Sequence, residues 1–137
     1  MRLWLLDTGP LVAYLDRDQP QHPRTVTRLG ELLGQPSTTS AVITETMHFV
    51  RSASEGPELL AEFVEVTGML VYDYTQPGTL KYAAALVKKY ADLPMDFADA
   101  TLVLLADELK TTEIATFDRR GFSVYRTARG KSFRLVL

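Results

Sequence analysis

Leu3-Trp4-Leu5-Leu6-Asp7-Thr8-Gly9-Pro10 decides the fold. Four apolar residues in unbroken succession suit a strand buried on both faces of a parallel sheet, not a half-exposed strand, which would alternate. Gly9 and Pro10 end that strand, and Pro10 fits the first turn of a helix whose apolar face is Leu11, Val12, Tyr14 and Leu15. The same unit returns along the chain. Apolar or β-prone runs at 37–39, 69–72 and 114–117 alternate with helical spacing at 24–33, 40–52, 58–66, 79–90 and 96–109. Ser40 is the expected cap of the third helix, and Gly68 the stop of the fourth. Gly121 turns the chain into 122–125, and 133–136 closes it. Strands alternating with helices predict an α/β fold with a central, mainly parallel sheet. The 137 residues contain no repeat, low-complexity segment or linker, so 1–137 reads as a single domain.

Composition narrows the chemistry. The formal net charge is −2, with 15 Lys and Arg against 17 Asp and Glu, which excludes a strongly basic nucleic-acid coat. There is no cysteine, so disulfide scaffolds, zinc ribbons and thiol catalysis are out. His22 and His48 cannot make a two-histidine zinc site without carboxylates, and both read as surface or helix residues. No segment reaches transmembrane length, and Asp7 breaks the N-terminal apolar run too early for a signal peptide; a cytoplasmic protein is the expectation. Charge is uneven: the six basic residues after Asp118 face no acid, while the first 118 residues hold all 17 acids.

Several acids have apolar neighbours. Asp7 falls at the carboxyl end of the expected central strand, where open parallel sheets bind ligands, although an Asp there also caps a helix well. Asp118 repeats the arrangement after Ile114-Ala115-Thr116-Phe117; alone it reads as a turn residue. Glu45 is the only acid in Ala41 to Val50. Asp96 and Asp99, three apart, share a helix face at the start of an apolar helix, and Asp96 suits the N-cap. Converging carboxylates stay ionised together only when a cation neutralises them. Oxygen ligands without Cys select Mg²⁺ or Mn²⁺, and the chemistry such a site supports best is phosphodiester hydrolysis.

These pieces together, Leu5-Leu6-Asp7-Thr8-Gly9-Pro10-Leu11, Thr44-Glu45, Asp96-Phe97-Ala98-Asp99-Ala100 and Thr116-Phe117-Asp118, resemble a PIN domain of the small VapC-like ribonuclease group, over essentially the whole chain. The resemblance implies a three-layer α/β/α fold and a metal-dependent endoribonuclease leaving 5′-phosphate ends. It matches Asp7, Glu45, Asp99 and Asp118 to the family's four acids and Asp96 to an extra acid found in part of the family. Thr116 matches the hydroxyl residue two before the last acid, and Thr8 the position beside the first; for Thr8 a local backbone cap is the favoured reading. The last motif departs from the common Asn- or Asp-containing form, reading Thr-Phe-Asp-Arg-Arg-Gly-Phe, but keeps the acid. Arg119 and Arg120 are placed to reach a phosphate. By implication the partners are RNA, a small antitoxin and a second copy of the chain.

Two other classes compete. One is a catalytically weak PIN-like module that binds RNA or protein. The other is a phosphotransfer protein with Asp7 as nucleophile. A dehalogenase-like phosphatase places a second Asp two residues on, where this chain has Gly9, and Thr116-Phe117-Asp118 offers no receiver-type Lys. Tyr72, Tyr74, Tyr82 and Tyr90 could stack bases, but their spacing fits core packing better for most.

Overall fold

A computed structural model describes residues 2–137. Five strands, β1 (Leu3–Leu6), β2 (Gln35–Thr39), β3 (Leu70–Tyr72), β4 (Glu113–Ala115) and β5 (Arg134–Leu135), form one sheet in the order β3-β2-β1-β4-β5. All neighbouring strands pair in parallel. The helices are α1 (Thr8–Leu15), α2 (His22–Glu31), α3 (Ser40–Val50), α4 (Gly56–Thr67), α5 (Pro77–Lys89), α6 (Phe97–Leu109) and α7 (Arg119–Phe122).

β1 is central, which is why Leu5 and Leu6 are fully buried and its run is unbroken. From β1 the chain steps outward to β2 and β3, then returns across the sheet to β4 and β5. Right-handed crossovers put the helices of the outward and return paths on opposite faces. Accordingly α1 packs with α2, α3 and α4, while α5 pairs with α6, giving three layers. The direction of winding reverses between β1 and β4, so the carboxyl ends of these two strands flank a crevice.

Local chemistry moved several boundaries. Thr39, not Ser40, caps α3: its hydroxyl accepts from Val42 N at 3.4 Å, while the Ser40 hydroxyl donates to Asp73 at 2.7 Å. β4 stops at Ala115, and Phe117 is 40% exposed instead of buried in a strand. Gly121 lies inside a short helix, α7, and the segment 122–125 that follows it is the last residue of that helix and a turn. Phe122 and Tyr125 are buried there by stacking, not by strand pairing, while Val124 is exposed. Phe122 meets Tyr125 and Phe133 edge-on, at ring-centroid separations of 5.0 and 5.3 Å.

Candidate active site

Asp7 follows β1 directly, and its backbone N–H continues the ladder to the Ala115 carbonyl at 3.0 Å. Its side chain caps α1, accepting from Thr8 N at 2.8 Å, and its second oxygen accepts from the Thr116 hydroxyl at 2.7 Å. The residue is only 8% exposed. Burial pushes its pKa up to about 6; the Thr116 and Thr8 hydrogen bonds oppose the rise, and the charges of Asp96 and Glu45 add to it.

Thr116 joins two strand ends. While donating to Asp7 it also accepts from Asp118 N at 3.0 Å. The Asp118 side chain then turns down the chain to accept from Gly121 N at 3.0 Å, capping α7. From the other layer, Asp96 and Asp99 form a reciprocal capping box at the start of α6: Asp96 accepts from Asp99 N at 2.8 Å, and Asp99 from Asp96 N at 3.1 Å. Burial pushes the Asp99 pKa up to about 8, helped by the charges of Asp96 and Asp7 and opposed by the Asp96 N–H. Glu45 projects from α3, half-buried, with no hydrogen-bond partner among the described residues.

Asp7, Glu45, Asp99 and Asp118 line one open cavity of about 690 Å³ with Thr8 and Phe117. Asp96 does not line it. It stands in an adjoining cavity of about 600 Å³ that shares Glu45 and Phe49 with the first. Among the described residues, no three acids are drawn into a closed ligand shell. The donor set nevertheless fits a hard divalent cation. It is all oxygen, two of its carboxylates are held back from ionising by burial and by the charge of neighbouring acids, and a cation removes that penalty.

The remaining expected residues divide. The Thr8 hydroxyl is buried without a partner, so it is not the backbone cap expected of it; the cap of α1 is Asp7. Arg120 is exposed. Arg119 does not line the acidic cavity; it donates to the Leu137 carbonyl at 2.8 Å and lines a neighbouring cleft. Most of the other late basic residues brace the chain. Arg126 donates to the carbonyls of Ser123, Val124 and Tyr125, while Arg129 pairs with Asp107 and Arg134 with Glu113. His22 contacts the Ala13 carbonyl through Nδ1, and His48 contacts Arg51. Tyr74 and Tyr90 are buried, whereas Tyr82 is exposed.

Sequence reasoning missed Tyr125. Its ring is fully buried and its hydroxyl is unpartnered. Burial raises its pKa, and the charges of Asp99 and Asp118 raise it further, so the hydroxyl sits within reach of the acids' field. The bend after α7 has no periodicity, so nothing in the linear spacing singles this tyrosine out.

Thr116→Val tests the bridge between the strand ends. The loss leaves Asp118 N without its acceptor and Asp7 without a donor that favours its ionised form. The expected outcome is a stability loss of about 1–3 kcal/mol by denaturant titration. The acid limb of any pH–activity profile should also move to higher pH. An unmoved limb would show that the hydroxyl does not tune Asp7.

The fold and site define an α/β protein with a carboxylate-lined cavity at the switch point of a parallel sheet. The chain belongs to the PIN domain family, which it matches over residues 4–128. It is 30% identical over 134 residues to ribonuclease VapC26 of Mycobacterium tuberculosis, covering 96% of this chain and 98% of that protein. Its fold is similar to that of M. tuberculosis VapC20, a sarcin-ricin loop cleaving toxin. The TM-score is 0.75 at 16% identity, over 85% of this chain and 90% of that one. PIN and VapC nucleases depend on a metal ion. No helix of the described residues is long and apolar enough to cross a membrane.

Proposed function

We propose that this chain is an endoribonuclease of the VapC type, dependent on Mg²⁺ or Mn²⁺ and acting in the cytoplasm as the toxin of a toxin–antitoxin pair. The observation that carries the reading is the meeting of Asp7, Glu45, Asp99 and Asp118 in one cavity at the carboxyl edge of the sheet. Asp7, Asp99 and Asp118, with Glu45, would hold the cation, and Asp96 supports Asp99 through the capping box. When bound, the cation supplies charge neutralisation at the phosphoryl oxygens and lowers the pKa of the attacking water. Thr116 and the N–H of Thr8 fix the Asp7 carboxylate in one orientation. Glu45 has no competing hydrogen bond, so it accepts one from the attacking water and orients it in line with the scissile bond.

An antitoxin and a second copy of the chain complete the reading. The exposed apolar residues Met47, Phe49 and Val66 on α3 and α4 suit protein contact.

Incubation of a mixed structured RNA pool with Mn²⁺ or with EDTA, followed by mapping of product ends, tests the reading. Metal-dependent cuts with 5′-phosphate ends are expected. Cleavage that persists in EDTA, or ends bearing 2′,3′-cyclic phosphate, would overturn the mechanism. An absence of both cleavage and Mn²⁺ binding would favour the non-catalytic module.

A further inference from the structure

Beside the acidic cavity lies a smaller cleft of about 170 Å³ lined by three arginines: Arg24 and Arg28 from α2, and Arg119 from the start of α7. The two spaces abut. Gln21 and Phe117 line both, and the cleft's Thr116 donates to Asp7 within the acidic site. Arg24 and Arg28 are four apart on one helix, so they share a face. Like charges at that spacing weaken a helix by a few tenths of a kcal/mol. Neither forms an ion pair with an acid among the described residues. Arg28 in the last turn of α2 suits the helix dipole, but Arg24 in its first turn opposes it, so the fold itself supplies no reason for Arg24 there. Arg119 uses one donor on the Leu137 carbonyl, which holds its guanidinium at the cleft and leaves other N–H groups available. The opposite flank differs. The 600 Å³ cavity beyond Glu45 is lined by Asp96, Phe49 and Phe97, with no Lys or Arg.

We propose that Arg24, Arg28 and Arg119 form a phosphate site that grips the RNA backbone next to the scissile phosphate. The strand thus enters the acidic cavity from the α2 side and leaves past Phe49. This rests on the nuclease reading and adds to it a polarity and a specific set of contacts. The guanidinium forks match phosphate oxygens, and a sequence-independent grip beside the reacting phosphate holds a polyanion over a cavity whose own charge repels it. The requirement is acute in a chain of net charge −2.

The test is binding of a fluorescein-labelled, mixed-sequence 20-nucleotide single-stranded RNA by anisotropy, across a salt series with Mg²⁺. All proteins carry Asp7→Asn to prevent cleavage. Arg24→Ala/Arg28→Ala is compared with the unaltered arginines and with Lys88→Ala/Lys89→Ala, which removes the same charge from α5, outside the cleft. Arg24, Arg28, Lys88 and Lys89 are all exposed, so both double variants should fold. Loss of the two arginines should weaken binding about tenfold at low salt. It should also flatten the slope of log affinity against log salt by roughly 1.4, two single-strand phosphate contacts at about 0.7 each. The lysine control should leave the slope unchanged. An unchanged slope in the arginine variant, or an equal change in the control, overturns the site. If RNA affinity holds while binding of an acidic peptide is lost, the cleft belongs to a protein partner and the proposal is likewise overturned. The nuclease reading fails separately: it falls if the wild-type chain cuts no RNA with Mn²⁺, and it survives if the wild type cuts while the arginine variant binds normally.

Discussion

Asp7→Asn is expected to abolish RNA cleavage, by at least about 100-fold in kcat/KM, while raising the melting temperature of the metal-free protein at pH 8. The two effects have one cause. At pH 8 the wild-type carboxylate is ionised although it is buried beside other acids, which is why its pKa stands at about 6 against an ordinary 3.8. Two pKa units correspond to about 3 kcal/mol of unfavourable charge. Asparagine keeps the shape and one oxygen acceptor for Thr8 N, and its amide can donate to Thr116 in place of the present bond. Part of the gain is lost in that rearrangement, leaving about 1–3 kcal/mol, and each kcal/mol is worth about 4 °C in a domain of this size. The amide removes the negative charge that the carboxylate offers a divalent cation, which weakens the metal site, so activity goes. A variant that cuts RNA at the wild-type rate would remove Asp7 from the site, and a lowered melting temperature would refute the account of its burial.

The same logic fixes the pH dependence of the unaltered protein. Asp7 and Asp99 have folded-state pKa values raised to about 6 and about 8, above their unfolded values. The folded chain therefore binds more protons than the unfolded one between about pH 4 and pH 8, and stability falls as pH rises through that window. In EDTA the melting temperature should drop from pH 5.5 to pH 8. Millimolar Mn²⁺ should cancel most of the drop, because it binds the ionised acids of the folded state. Glu113, whose pKa is lowered by Arg2 and Arg134, acts in the other direction and loses its contribution only in acid.

The parallel sheet was legible because an interior strand carries its signature in consecutive residues, as Leu3 to Leu6 do. The four acids of the cavity were legible for a related reason: Asp7 and Asp118 each come at the end of an apolar run, and Glu45 and Asp99 each stand in an otherwise largely apolar helical stretch. What stayed hidden depends on side chains meeting across elements. That Thr116 spans from Asp7 to Asp118 follows from β1–β4 register, which no local pattern encodes. The conformation of 122–125 was not legible, because burial in a short run looks the same whether strand pairing or stacking supplies it; aromatic stacking buries Phe122 and Tyr125. The basic C-terminal stretch looked like one surface feature. In three dimensions Arg126, Arg129 and Arg134 are braces, and the arginines that gather beside the site come mainly from α2, some ninety residues earlier.

Gly121→Ala should damage both fold and site, although helix propensity alone favours alanine by about 1 kcal/mol. A Cβ at position 121 would stand 2.4 Å from an Asp118 carboxylate oxygen and 2.7 Å from the Tyr125 hydroxyl. Asp118 cannot yield without breaking its cap on Gly121 N, which also holds it at the cavity. Tyr125 cannot yield easily either, because its ring packs edge-on against Tyr90 and Phe122, each at 5.0 Å. Overpacking of this kind costs about 1–3 kcal/mol, more than the propensity gain returns. Net destabilisation in denaturant is the expected result, with a fall in kcat at saturating RNA as Asp118 is displaced. Tyr125→Phe removes the oxygen at 2.7 Å but keeps the ring carbon at 2.8 Å, so added to Gly121→Ala it should recover only a small part of the stability, a coupling that a double-mutant cycle reads directly. Recovery of stability without recovery of kcat would assign the catalytic loss to Asp118 alone. Recovery of neither would mean that the contacts left in place, with the Asp118 carboxylate and the ring carbon of residue 125, dominate both effects. A Gly121→Ala protein as stable and active as the wild type would show that the turn after β4 is not packed as described.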